Sequence, residues 1–389
     1  MLAEEGSFML VWAILGLLTV LYSAAVWLFF AGLVKLHRGT NTSVPSVSVV
    51  LAARDEERYI RACLESLLAQ SYQGTFDITI ADDQSSDATV EIVDRLAAQH
   101  PNLNLIRITE TPKGWAPKKY ALHRAIESSN GEIIMATDAD CILPPDWIAG
   151  LMLHLEPSVG MVVGFVQLSR SGPRAPLWIR LQALEFLALF MAAAGGIATK
   201  LIYSAMGGSL AYRRKAFQQI GGFERIKHLV SGDDDLLLQQ LVTRTDWEVR
   251  FSKAADTFAT TEPMPDVKAF FRQRRRWASK AVHQRPLTLS FLLVTFLLNL
   301  TLLVTIPMIL LEGRSVAFPL ICLAVKSLSE FVLLYRGAGM FGRKDLVRIF
   351  PLWELVHIPY VVASGLAGLR GGMNWKGRRY RGQDQTQKE

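Results

Sequence analysis

Acidic side chains recur in this chain as short groups at the ends of apolar runs: Asp82-Asp83, Asp138-Ala-Asp140 and Asp233-Asp234-Asp235. Asp138 and Asp140 are one residue apart with a small alanine between them, so both can reach one hard cation. A lone acidic turn is more often solvated punctuation, and the reading gains weight only from its company. Asp82 and Asp83 repel each other unless a cation or the N–H of a nucleotide base offsets the repulsion, whereas Asp87 reads as a helix cap. Arg54 and Glu56 follow an earlier apolar run and suit a joint role with that pair. Lys118 is either an exposed lysine or a neutraliser of a leaving group. Three acids at 233–235 are favoured by a helix dipole but exceed what capping needs, which leaves one for a general base. Gln273, Arg276 and Trp277 fall at i, i+3 and i+4, presenting an amide, a guanidinium and an indole on one helix face. Arg272, Arg274 and Arg275 between them divide evenly between a lipid-facing role and another.

The elements that must position these groups alternate. Val47–Leu51, Asp77–Ala81, Leu103–Ile108 and Gly131–Ala136 read as strands, and Glu57–Gln70, Asp87–Ala98 and Lys118–Ser128 as amphipathic helices. A βαβαβαβ order implies a parallel, doubly wound sheet whose strand tips carry the polar clusters, where open α/β sheets bind ligands. Gly160–Leu168 reads as a further strand. Gly207-Gly208-Ser209 marks a close backbone approach, after which Arg213, Arg214 and Lys215 are expected in solvent. Leu236–Val242 reads as a helix opened by the 233–235 acids.

The 389 residues allow one α/β domain of about 250 residues plus an apolar remainder. Phe8–Val34 is a run of 27 residues without charge, long enough to cross a bilayer and preceded by acids rather than a basic leader. Lys35, His37 and Arg38 behind it predict a cytoplasmic middle. Leu287–Leu311 and Ser315–Tyr335 are further apolar runs, the latter with Lys326 and Glu330 spaced to neutralise each other. Ile349–Leu369, with two prolines, Glu354 and His357, is expected to be re-entrant or interfacial. Pro176–Ala198 reads as too short and too polar at its start to span, suiting a surface helix, an acceptor wall or an ordinary core helix. The expected division is an anchor at 1–38, a catalytic domain at 39–285 and a C-terminal membrane region at 286–389. Three cysteines, Cys63, Cys141 and Cys322, lack metal spacing and read as buried hydrophobes. The formal charge of +7 falls beside apolar segments (Arg272–Arg276, Arg378, Arg379, Arg381), which favours a membrane surface or a diphosphate and speaks against nucleic acid.

In order, these clusters resemble the membrane-bound family 2 glycosyltransferases, whose catalytic domain has the GT-A fold, a Rossmann-like, mostly parallel α/β sheet. Ala52-Ala-Arg54-Asp55-Glu56 matches the family's opening motif, with Ala52 and Asp55 departing from it. By resemblance Asp83 binds the nucleotide base, Lys118 contacts the diphosphate, and Asp138-Ala-Asp140 is the metal-binding D-x-D. The same resemblance makes Asp233 the catalytic base, although Gly232 replaces a usual glutamate. Gln273-Arg-Arg-Arg276-Trp277 is a full Q-x-x-R-W. The resemblance implies an inverting, Mg²⁺- or Mn²⁺-dependent hexosyltransferase, with Ala52, Arg54, Glu56, Asp83, Lys118, Asp138, Gln273, Arg276 and Trp277 touching substrate. The implied donor is a nucleotide-diphosphate sugar, UDP-linked, and the implied place is a bacterial inner membrane with the catalytic domain in the cytoplasm.

A polymer synthase must thread a polar chain through its helices, and three or four apolar segments leave little room. A membrane lipid needs only lateral access. A lipid acceptor is therefore expected, with processive polysaccharide synthesis as the alternative and an inactive nucleotide-sugar receptor as the rival from another class.

Overall fold

The structure is a computed structural model that describes residues 2–369, 373–376, 378–381 and 384–386. The chain divides into two compact units, an α/β unit (36–170, 203–265 and 371–389) and a helical unit (1–35, 171–202 and 266–370).

The α/β unit is built on nine strands: β1 Val47–Ala53, β2 Phe76–Asp82, β3 Leu103–Arg107, β4 Ile133–Ala136, β5 Val159–Val163, β6 Val166–Leu168, β7 Leu210–Arg213, β8 Glu248–Phe251 and β9 Ala259–Thr261. Seven form one sheet in the order β3-β2-β1-β4-β7-β5-β8, parallel except for β7, which runs against β4 and β5. The first four strands and their helices follow the alternation read from the sequence. Val47, Val49, Val50, Leu51, Ile78, Ile80 and Ile133–Met135 are fully buried, as expected of strands covered on both faces. Register then fixes the site. Val47↔Phe76 through Ala53↔Asp82 ends β1 and β2 level, and Val50↔Ala136 brings the end of β4 to the same edge. The reversed β7 starts there, Leu210 lying opposite Ala136, so Gly207–Ser209 join the same edge from the other direction.

Two expectations change in this unit. Gly160–Leu168 is two strands, because the chain leaves the main sheet at Gly164, where a Cβ would lie 2.1 Å from Ser209 Oγ, and β6 then pairs with β9 in a separate ladder. Arg213 and Arg214 are not in solvent. Arg213 donates to the carbonyls of Val159 (2.9 Å) and Leu155 (2.9 Å), and Arg214 to those of Gly131 (2.6 Å) and Ile126 (2.9 Å). Both bond carbonyls in loops and at the ends of the neighbouring strand and helix. Lys215 is exposed, and all three cysteines are buried and free. The last stretch of the chain adds a small antiparallel sheet to this unit: β10 Met373–Trp375, β11 Arg378–Arg381 and β12 Asp384–Thr386.

Among the described residues, the helical unit contains five helices long and apolar enough to cross a membrane by length and composition: Phe8–Lys35, Leu177–Thr199, Pro286–Leu311, Ala317–Met340 and Lys344–Gly368. The second qualifies by length and composition although the segment reads as too short to span, and it is mostly buried, as the core-helix reading expects. It continues for 23 residues, and its early Glu185 is neutralised rather than exposed. Its helix packs against the first closely enough that a Cβ on Gly32 would lie 2.1 Å from the Gly195 carbonyl oxygen, so small residues set the spacing. Lys326, fully buried, lies 2.8 Å from Glu330 and 2.7 Å from Glu354, and Tyr22 donates to Glu330 at 2.5 Å. The pairing expected of Lys326 and Glu330 is therefore part of a wider network across three helices, which Ser327 joins by donating to Glu354 at 2.9 Å. Glu330, Glu354 and His357 are close enough to share a metal, but the Lys326 ammonium already supplies the positive charge among the acids.

The helix Val267–Ala278 carries the Q-x-x-R-W stretch and is N-capped by Asp266, which accepts from Ala269 N at 2.7 Å. Arg274 is not lipid-facing. It is buried, forms a two-armed ion pair with Glu185, and lies 4.2 and 4.3 Å from the ring centroids of Phe270 and Trp277. Tyr360 donates its hydroxyl to the same Glu185. A lone acid in an apolar helix must find such a partner or lose its charge.

Candidate active site

At the level edge of β1, β2 and β4 the acids converge. Asp138 follows β4 and accepts from Lys118 Nζ at 2.7 Å, and the same ammonium is 2.9 Å from Asp233. Lys118 is delivered by the first turn of the helix Pro117–Glu127, which starts cleanly because proline occupies its first position. Its neighbour Lys119, fully buried, donates to the carbonyls of Leu229 (2.5 Å) and Ser231 (2.7 Å). Two adjacent lysines thus divide the work: Lys119 pins the loop that carries Asp233, and Lys118 meets its carboxylate.

Gly232 shows why this chain departs from the family's glutamate. Its φ of +93° is glycine territory, and a Cβ there would lie 2.5 Å from the Leu236 side chain. The turn aims Asp233 at Lys118. Asp234 then caps the helix Asp235–Arg244, accepting from Asp235 N at 2.7 Å. Burial by itself would raise the Asp233 carboxyl, but the Lys118 ammonium, with Lys119 behind it, holds the acid well below the usual range. Burial, then the charge of Asp138, pushes the neighbouring Asp140 above it. Lys118, opposed by burial, is raised above its ordinary value by Asp138 and Asp233.

The donor sets suit a hard cation. A Cβ on Gly207 would lie 3.5 Å from Asp138 Oδ2 and 3.6 Å from Asp234 Oδ2, so the glycine keeps open a cradle walled by carboxylate oxygens. An all-oxygen, acidic cradle matches Mg²⁺ or Mn²⁺ rather than a softer metal. Asp234 and Gly207 were not singled out from the sequence for this role, although the run of three acids was the available signal.

Asp83 follows β2, with its carboxylate 3% exposed. Its backbone N–H donates to Ala53 O at 2.8 Å, and its own carbonyl accepts from Arg54 Nη1 at 2.6 Å. Ala52 lies within β1, paired with Ala81. Asp55, where the family has asparagine, sits at φ +51°, a region Asp and Asn tolerate, and its carboxylate accepts from Ser86 N at 2.8 Å. Burial pushes Glu56 up to about 7 against the pull of Lys376, and the charges of Asp140 and Asp138 add to the rise. Those shared fields tie Glu56 to the D-x-D, and Arg54 ties the first strand's tip to Asp83. The site therefore joins Arg54, Glu56, Asp83, Lys118, Asp138, Asp140 and Asp233. Gln273, Arg276 and Trp277 belong to the helical unit, where Trp277 stacks on Arg274 and Phe186. Lys376 and Arg378, which reach Glu56 and Asp83, fall in no motif; of the two, only Arg378 stood out, by its positive charge.

Comparison with known proteins bears on the family and the fold. The profile of glycosyl transferase family 21 matches residues 9–387. Over 274 residues the chain is 30% identical to the beta-monoglucosyldiacylglycerol synthase of Trichormus variabilis, covering 68% of this chain and 55% of that protein. It is 28% identical over 247 residues to an N-acetylglucosaminyltransferase of Bradyrhizobium diazoefficiens, covering 60% and 48% respectively. The chain spans about half the length of these curated relatives. The mannosyltransferase PcManGT from Pyrobaculum calidifontis, solved with GDP-Man and Mn²⁺, superposes with a TM-score of 0.56 at 21% identity over 92% of this chain and 99% of that one, which identifies the fold as GT-A. With the profile covering nearly every residue, and the acids of its motifs gathered at one sheet edge, the chain belongs to glycosyl transferase family 21, within the clan of family 2 to which those motifs pointed.

Proposed function

We propose that this protein transfers a sugar from a nucleoside-diphosphate donor, UDP-linked, to the hydroxyl of a membrane lipid, with inversion at the anomeric carbon. The observation that carries this is the Lys118 ammonium bridging Asp138 and Asp233, which puts a phosphate-neutralising cation and a base within one small volume. Asp83 takes the base of the nucleotide, with Arg54 fixing the loop that presents it. Lys118 turns to the diphosphate, and Asp233, released from it, accepts the proton of the lipid hydroxyl. The acceptor oxygen bonds to the anomeric carbon as the bond from that carbon to the phosphate oxygen breaks, and the electron pair leaves on the diphosphate. Asp138 and Asp140, with Asp234 beside them, would hold Mg²⁺ or Mn²⁺, which offsets charge on the departing diphosphate. Gln273, Arg276 and Trp277 are assigned to substrate by the Q-x-x-R-W motif alone.

The lipid acceptor is supported by the diacylglycerol-directed relative and by helices long and apolar enough to hold the chain in a membrane, where a lipid is at hand. The basic residues after the first apolar helix favour a cytoplasmic α/β unit, and the bacterial relatives suit a bacterial inner membrane. Purified protein with UDP-glucose or UDP-N-acetylglucosamine, Mn²⁺ and diacylglycerol or ceramide vesicles should release UDP and yield a lipid bearing one sugar. Chelation by EDTA should abolish release, and added Mn²⁺ or Mg²⁺ should restore it. A ladder of products would establish the processive alternative, and nucleotide binding without release from any donor would establish a receptor.

A further inference from the structure

The last stretch of the chain folds back onto the edge that Asp83 and Glu56 occupy. Arg378 donates from Nη1 to Asp83 Oδ2 at 2.5 Å and from Nη2 to Asp83 Oδ1 at 3.1 Å, so one guanidinium engages both oxygens of the carboxylate. A further bond runs from Nη2 to Gln84 Oε1 at 3.2 Å. Lys376 is 2.9 Å from Glu56, and its ammonium reaches the Asp55 carbonyl at 3.2 Å. Arg54 donates Nε to the Lys376 carbonyl at 3.1 Å. Tyr380, 1% exposed, packs with Val230 one residue before the loop that leads to Asp233. The segment is thus a built strap: two strands on either side of a basic turn, one buried aromatic anchor, and two cations placed on two site acids.

We propose that this strap plugs the donor's base subsite, so that donor binding and strap docking exclude each other. The proposal rests on the assignment of Asp83 to the nucleotide base. With Arg378 in place the Asp83 carboxylate is 3% exposed, and a base N–H has no path to oxygens already held by a two-armed guanidinium. Lys376 covers Glu56 at the same time, so its withdrawal frees both acids together. The anchor Tyr380 keeps the strap near enough to return once the nucleotide leaves, because a tethered segment competes at high local concentration. A plug of this kind holds the enzyme idle at low donor and keeps water and stray cations from the acids between turnovers.

The test is the affinity of the full-length protein for UDP, and separately GDP, with Mn²⁺ present, measured on wild type and on Arg378→Gln. The plug predicts binding about tenfold tighter in the variant, the loss of one charge-assisted, two-armed competitor. Hydrogen exchange of residues 373–386 in the wild type, followed with and without nucleotide, should rise on binding as the strap leaves. Unchanged or weaker binding by Arg378→Gln, or protection of the strap by nucleotide, would overturn the plug while leaving the donor site standing. Failure of both proteins to bind either nucleotide would overturn the donor-site assignment and the plug with it.

Discussion

Asp233→Asn should lower the rate of sugar transfer by about 10²- to 10⁴-fold, the usual contribution of a positioned general base, with nucleotide affinity retained. The variant keeps the shape of the side chain and the turn set by Gly232, and Lys118 keeps Asp138 at 2.7 Å. What it removes is the basic oxygen proposed to take the acceptor's proton. Donor hydrolysis and lipid glycosylation should fall together, since both need that proton removed. Equal turnover by wild type and variant would strip the base role from Asp233, and loss of turnover in Asp234→Asn alone would move the role one residue along the loop.

Glu185→Ala should destabilise the protein by about 3–5 kcal/mol, the cost of leaving a buried guanidinium without its counter-charge. Arg274 and Glu185 are each 5% exposed, and Tyr360 adds a third partner from another helix. The pair also holds the Q-x-x-R-W helix, since Arg274 lies between the rings of Phe270 and Trp277. Thermal unfolding in detergent would read the loss directly, and Glu185→Gln, which keeps one hydrogen-bond acceptor, should lose less. A melting curve shared by Glu185→Ala and wild type would show that Arg274 finds water or lipid phosphate instead. These two results separate the two halves of the molecule: one tests chemistry in the α/β unit, the other the integrity of the helix that carries Gln273, Arg276 and Trp277.

The strand–helix alternation from Val47 to Ala136 was legible because each strand is a short, mostly apolar run and each helix keeps a 3.6-residue stripe. The acids at the strand tips were legible for a related reason, since charge cannot enter a buried strand and so marks where it stops. The family motifs then assigned Asp83, Lys118, Asp138, Asp140 and Asp233 a common purpose, and the sheet register brings them to one edge. The sequence was less informative where a charged residue's environment depends on a distant partner. Arg213 and Arg214 look like surface bases until the carbonyls of Val159 and Gly131 come within reach. Arg274 looks lipid-facing until Glu185 arrives from a helix nearly ninety residues away, and the helix at 177–199 looks charged at its start until that pairing cancels the charge.

Local patterning, then, determined by itself the order of elements, the apolar helices at both ends and the set of acids at the strand tips, because each follows from neighbours within a few residues. Only the tertiary structure decided which charges meet. That choice placed one lysine between Asp138 and Asp233, opened a cradle at Gly207, and laid Arg378 on Asp83 across almost three hundred residues of chain. Electrostatic pairing acts through space over a few ångströms, and sequence separation carries no record of that distance.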